Sequence, residues 1–511
     1  MQTAHRVVKN SGFLYARMLI SIVLSLYSTR IILEALGIVD FGIFSLVAGA
    51  ISMLGFLNAS MTISTQRFMS FAEGKGDLER LKSIFNVSSI LHFGIAFTVS
   101  IVLIILGFFY FRGILNIPPN RINAAKAIYY LMIFSTFFTI ITVPFDAVLN
   151  ARENMFYFAI NGIIESILKL LAALIIINVQ DNDRLIIYGL LIMIISLLVM
   201  LSKRFYCNKH YLETKINLKK YYDKALFKEM SSFAGWNFLT SAVAMITNYS
   251  MGIILNIFFG ALINAAQGVA NQIFSQLTMF SSNLMKALSP VIAKSEGSGD
   301  RNRMLRVSSI GAKTSFFLSM LFMSPFIAEA PYVLKLWLNK IPDYSIIFCR
   351  LLLIQALIET ILLSLSQSIN AQGDIKSATI VRSIHAALYL PIIYIFFYLG
   401  FDPSSMYYIM IVKSVFSIVI LLYFNQLNCG LNIYDYLKDV IFPCSLSVTI
   451  LLLLLFFDIN YIQESFLRLF LNCLIGLVFS SWSFYYLLLN KDEKNMLNTL
   501  VLNFINKVKK K

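Results

Sequence analysis

The chain has 511 residues, 58% of them apolar and only 13% charged, with a mean hydropathy of +0.76. One soluble core stops growing near ~250–300 residues, so a water-soluble fold cannot hide this much apolar surface and is excluded. The net charge of +16 would suit nucleic acid, but the lysines and arginines sit in short tracts between apolar runs. That placement orients a membrane protein, and no nucleic-acid partner is expected.

Spanning a bilayer takes roughly 20 apolar residues per helix. Runs such as 101–109, 186–201 and 448–457 are continuous rather than alternating, which predicts helices and not the strands of a closed barrel. In chain order the spacing predicts helices at 12–33, 41–66, 84–110, 122–149, 155–178 and 184–203. After a polar linker it predicts 231–257, 260–289, 305–328, 344–370, 377–399, 404–425, 437–457 and 465–489. The fold class is therefore all-α integral membrane, with about fourteen transmembrane helices. The first run carries Arg17 and Arg30 and lacks a small-residue cleavage site, so it reads as a retained helix rather than a signal peptide.

Fourteen spans put both termini on one side. The loops on that side hold 27 lysines and arginines against 5 in the opposite set, which predicts cytoplasmic termini. The linker is the one long polar segment. From 216 to 230 it interleaves Leu218, Tyr222, Leu226 and Phe227 with lysines, the pattern of an amphipathic helix on an anionic leaflet. It reads chiefly as a connector between two halves.

Those halves repeat weakly. Glu73-Gly74-Lys75-Gly76-Asp77 with Arg80 reappears 223 positions later as Glu296-Gly297-Ser298-Gly299-Asp300 with Arg303. Leu115-Asn116 and Pro119 recur as Leu338-Asn339 and Pro342, and Asn150-Ala151 recurs as Asn370-Ala371. In each loop the second glycine can end one helix in the left-handed conformation and the aspartate can cap the next. A six-helix unit is even, so both copies enter from the same side as parallel repeats. The expected organisation is a lobe at 1–203, a linker at 204–230, a second lobe at 231–425, and two added helices with a basic tail at 426–511.

Two six-helix lobes plus two helices resemble the multidrug/oligosaccharidyl-lipid/polysaccharide exporter superfamily. The segment Arg30-Ile31-Ile32-Leu33, Leu36-Gly37, Asp40-Phe41-Gly42-Ile43-Phe44, together with the loop at 73–77, resembles the polysaccharide branch of Wzx-type O-antigen and capsule flippases. That resemblance implies flipping of an undecaprenyl-pyrophosphate-linked oligosaccharide for lipopolysaccharide O-antigen or capsule biosynthesis across a bacterial inner membrane. It also implies a polysaccharide polymerase as partner and H+ or Na+ as coupling ion.

Charges within spans cost ~2.5–3.5 kcal/mol each on insertion scales, so they face a cavity or a partner. Cations outnumber carboxylates among them, which fits a phosphate-bearing ligand better than an organic cation. Arg30, Lys286, Arg382, His385 and Lys413 are the candidate substrate contacts. Glu359, Asp146 and Glu165 are the candidate coupling residues, although Glu165 and Lys169 are also spaced to neutralise each other. No cofactor or metal is expected: Cys207, Cys349, Cys429, Cys444 and Cys473 are scattered thiols facing lipid or cytoplasm, and no phosphate-binding GxxxxGK[ST] loop is present. Other readings of the same fold are a lipid II or teichoic-type flippase or a drug exporter. A polytopic polymerase or ligase lacks the external loop it would need for catalytic groups.

Overall fold

The computed structural model describes residues 2–52, 55–111, 118–179, 183–338, 341–461 and 463–499. All of its long elements are helices: α1 (Gln2–Ser52), α2 (Gly55–Lys75), α3 (Leu78–Phe109), α4 (Ile122–Ala151), α5 (Met155–Ile177), α6 (Arg184–His210) and a single-turn α7 (Leu218–Tyr221). The chain continues through α8 (Lys224–Gly297), α9 (Arg301–Trp337), α10 (Ser345–Gln372), α11 (Lys376–Tyr398), α12 (Ser405–Cys429), α13 (Ile433–Tyr436), α14 (Phe442–Tyr461) and α15 (Phe466–Ser483). Among the described residues, 12 helices are long and apolar enough to cross a membrane. The segments expected to span at 41–66 and 260–289 are helical where described but are not among those 12.

The chain divides into two compact units, Lys9–Ser241 and Ala242–Lys511, the second including Met1–Val8. In the first, α4 packs on α3 and α6 around Ala125, Ile128 and Tyr129. The Tyr129 hydroxyl donates to the Leu103 carbonyl at 2.7 Å, and its ring lies on Gly107, where a Cβ would come within 2.6 Å of it. In the second, α10 packs on α9 and α12. Small hydroxyl residues form its seam, with Ser308 Oγ 2.8 Å from the Oγ atoms of both Ser364 and Ser368. Small side chains let helix backbones approach closely in lipid, where no hydrophobic force draws them together. Helices α14 and α15 pack on α9, with Gly476 of α15 against the Pro325 ring.

The internal repeat has a backbone signature. Gly76 (φ 71) and Gly299 (φ 80) both take the left-handed conformation. Asp77 and Asp300 then accept from the backbone N–H of Arg80 and Arg303, at 2.9 and 3.0 Å, and so cap α3 and α9. This is the arrangement expected for the duplicated loop. Two further glycines obey the same offset. Gly37 (φ 73) interrupts α1 and Gly260 (φ 77) interrupts α8, again 223 positions apart. In the other duplicated segment, Leu115, Asn116 and Asn339 lie outside the described residues.

The linker differs from its expected form. Asn217 accepts from Lys220 N–H and Asp223 accepts from Ala225 and Leu226 N–H, so each of these side chains starts a new helix. Residues 216–230 therefore fold as the short α7 and the first turns of α8, not as one amphipathic helix.

Candidate functional site

Most intramembrane charges are consumed by structure. In the first unit Asp146 on α4 is held by Lys203 of α6 at 2.8 Å, and Glu165 on α5 is held by Lys169 at 2.6 Å. Arg17 of α1 lies flat on Gly162 and over the Phe158 ring at 4.7 Å, a path that any Cβ at 162 would block. Two of the three coupling candidates, Asp146 and Glu165, thus have lysine counter-ions. The side chain of Arg30 lies outside the described residues.

In the second unit, α9 and α15 share a bidentate pair. Arg468 Nε donates to Glu329 Oε1 at 2.8 Å and its terminal nitrogen to Oε2 at 2.9 Å, while Asn472 donates to Oε1 at 2.6 Å. Lys313 of α9 donates to Glu493 at 2.8 Å, again with both groups buried. Arg350 of α10 gives its hydrogen bonds to the carbonyls of Ile327 and Ala328 and lies over Phe456. Lys286 is also engaged by a neighbour. Sequence reasoning missed Lys313, Glu329, Arg468 and Glu493 as a set, because each partner lies more than a hundred residues from the other.

One group is different. Along α11 the positions 378, 382, 385, 389 and 393 share a helix face; Ala378, Tyr389 and Ile393 on it are buried, which turns Arg382 and His385 inward. Lys413 and Ser417 on α12 meet this face, and Ser414 of the same helix bonds Glu359 on α10, which completes the group. Ser417 Oγ lies 3.5 Å from His385 Nδ1. The structure therefore brings together Arg382, His385, Lys413 and Glu359 from the expected site. Glu359 is within electrostatic reach of both cations. Its Oε1 nevertheless accepts from two neutral donors, Gln355 Nε2 at 2.9 Å and Ser414 Oγ at 3.1 Å. Among the described residues, neither Arg382 nor Lys413 makes a direct ion pair. Gln355, only 4% exposed, leaves its Oε1 without a donor, and His385 Nε2 also lacks a partner. Nothing in the sequence pointed to Gln355, although its i,i+4 spacing to Glu359 is the signal that could have.

No group of three or more histidine, cysteine or carboxylate side chains among the described residues could hold a metal. Four of the five thiols, at Cys207, Cys349, Cys429 and Cys444, are buried in packing rather than facing lipid or cytoplasm.

Two compact helical units, duplicated in sequence and tied internally by buried ion pairs, define an all-α, multi-pass membrane scaffold. The comparisons agree. The MatE family model matches residues 240–395. A structure of MATE in complex with MaD3S superposes with a TM-score of 0.73 at 16% identity, covering 83% of this chain and 96% of that one. A multidrug resistance MATE family transporter of the MOP superfamily, in an outward-facing conformation, gives 0.72 at 13% identity over 83% and 95%. A MOP superfamily transporter from Pyrococcus furiosus, described as having a binding pocket of reverse polarity, gives 0.71 at 13% over the same shares. No curated protein matches the chain.

These matches overturn the Wzx-type reading. With it fall the undecaprenyl-pyrophosphate-linked oligosaccharide, the lipopolysaccharide and O-antigen role and the polysaccharide polymerase partner. The physical reason lies in the residues that carried the resemblance. Gly37 breaks α1, and Asp40 receives Arg121 Nε at 2.7 Å while the same guanidinium binds Asp183 at 2.6 Å. Glu73 binds Arg152 at 2.8 Å and Asp77 caps α3. Such residues shape breaks and loops and say nothing about cargo. Lys203, Lys169, Lys313 and Arg468 each already have a carboxylate, so none of these four cations argues for a phosphate-bearing ligand.

Proposed function

We propose that the chain is an ion-coupled exporter of small organic molecules, with fourteen spans and both termini cytoplasmic. The likeness in fold to multidrug transporters over most of the chain supports the class. The 27-to-5 bias in lysine and arginine supports the orientation. The count of fourteen adds the helical segments 41–66 and 260–289 to the 12 clear spans.

Coupling rests on one observation: Glu359 is the candidate carboxylate without a lysine or arginine bonded to it, yet Arg382 and Lys413 stand within its field. The ionised carboxylate accepts from Gln355 Nε2. A protonated carboxyl would instead donate to the orphaned Gln355 Oε1 after that amide turns over, so Gln355 serves both charge states. Loss of the negative charge releases Arg382 and Lys413 from α10. That release would let α11 and α12 settle differently, which gives proton uptake a mechanical consequence.

The test is gradient-driven accumulation of ethidium in proteoliposomes. An imposed pH gradient should drive uptake that an ionophore abolishes, and Glu359→Gln should reduce it at least tenfold with normal protein incorporation. Uptake by Glu359→Gln at the wild-type rate would remove the carboxylate from the mechanism, and uptake indifferent to every imposed gradient would remove ion coupling.

A further inference from the structure

The segment between α6 and α8 is a strap with two unlike faces. Its inner face is tied to the first unit by every acidic residue it owns. Glu213, 2% exposed, receives Arg152 at 2.7 Å, while Asp223 and Glu229 share Arg80 at 3.0 and 3.5 Å. Asn86 of α3 adds a backbone clamp, accepting from Asn217 N–H at 2.8 Å and donating to the Lys215 carbonyl at 3.3 Å.

The outer face keeps what the inner face rejects. Leu212 (62%), Ile216 (52%), Leu218 (43%) and Tyr222 (47%) are exposed large apolar side chains on a segment that has plenty of polar residues to show instead. Interleaved with them, Lys209, Lys215, Lys219 and Lys220 are exposed, and among the described residues none has a carboxylate partner. The strap's own carboxylates, Glu213 and Asp223, are bound to Arg152 and Arg80, so its exposed lysines carry a charge that no strap carboxylate neutralises. The strap is also continuous at both ends with helices that enter the membrane, α6 and α8. Its outer face therefore lies at the height of lipid headgroups.

We infer that this face is a docking surface for anionic phospholipid, with the lysines on the phosphates and the four apolar side chains seated below them at the acyl boundary. Basic residues near an anionic leaflet are attracted within a Debye length, and apolar side chains interleaved with them add a contact that soluble anions cannot use. The rigid inner ties mean that the lipid meets a preformed face rather than ordering a loose one.

The experiment measures lipid retention by the purified full chain, using native mass spectrometry after mixing with phosphatidylglycerol and phosphatidylcholine of matched acyl length. Wild type should retain phosphatidylglycerol at least tenfold better, with the preference falling steeply between 0.1 and 0.5 M salt, on the order of the screening expected. The combined variant Lys209→Gln, Lys215→Gln, Lys219→Gln and Lys220→Gln should reduce the preference below about threefold. Because the inner ties are untouched, its elution profile and helicity should match wild type. A second variant, Leu212→Ser with Ile216→Ser, should weaken retention of both lipids while keeping the preference. A combined lysine variant that keeps its preference overturns the inference. So does an equal loss from the control Arg303→Gln with Arg306→Gln in the first turns of α9, or displacement of lipid by equimolar glycerol 3-phosphate.

Discussion

Arg468→Met tests whether buried ion pairs, and not apolar packing alone, hold α15 on α9. Glu329 is 0% exposed and Arg468 4%, so neither has water to fall back on. Removing the arginine leaves a buried carboxylate with only the Asn472 amide at 2.6 Å, and breaking such a pair costs ~3–5 kcal/mol. Glu329→Gln alone should cost a similar amount by stranding the guanidinium. In the double variant no charge remains, the new amide at position 329 can still accept from Asn472, and at least half of the combined loss should return. The assay is reversible unfolding in mixed micelles followed by tryptophan fluorescence, with Trp482 on α15 as a local probe. A loss under ~1 kcal/mol for Arg468→Met, the size of an exposed pair, would refute the reasoning. Strict additivity in the double variant would refute it equally.

Four further outcomes are expected. Gly37→Ala and Gly260→Ala each place a Cβ at positive φ and should cost about 1–2 kcal/mol, equally in the two units; a tenfold disparity in stability would deny their equivalence. Gly162→Ala should displace Arg17 from Phe158, since the new methyl would lie 2.0 Å from Nε, and a structure of the variant with Arg17 unmoved would refute this. Cysteines placed at Lys75, the last residue of α2, or at Lys220 in α7 should resist impermeant reagents in intact cells if the proposed orientation holds, and labelling from outside would overturn it. The backbone N–H of Leu226 holds the Asp223 carboxyl below the ordinary aspartate range, with burial opposing and Ala225 N–H and Arg80 adding to the effect. A depressed carboxyl stabilises fully above its unfolded value and loses that contribution as pH falls through the folded one. Hydrogen-exchange protection at 218–226 should therefore persist on acidification to about pH 4 and then fall, while Asp223→Asn should lose it at neutral pH.

Local grammar was readable in the chain and remote pairing was not. Most of the spans could be placed because a helix in lipid needs an uninterrupted apolar run, but 41–66 and 260–289 are not among the 12 helices long and apolar enough to cross. The duplicated Gly76-Asp77 and Gly299-Asp300 turns could be derived because glycine conformation and aspartate capping act within a few residues. The recurrence of Gly37 at Gly260 went unread, since a lone glycine in an apolar run carries no sign of positive φ. Glu359 could be singled out as a mid-span carboxylate. That Gln355 and Ser414 take its hydrogen bonds, while Lys313 and Arg468 are quenched by Glu493 and Glu329, depends on helices packed side by side, and no spacing rule reports that. Cargo was least readable of all, because the residues that suggested a sugar-lipid substrate, Asp40 and Glu73, are fastened to Arg121 and Arg152.

The chain beyond α12 supplies the counter-ions for two buried charges of α9. Helix α9 now carries Lys313 and Glu329 at depths where an ion alone could not persist, and both depend on groups from the last part of the chain, Glu493 and Arg468. A lineage holding these four residues cannot shed its C-terminal segment by a single deletion without stranding two buried ions at once, each costing ~3–5 kcal/mol. The segment beyond α12 is therefore not dispensable to α9, and a shortened variant would have to discharge α9 first.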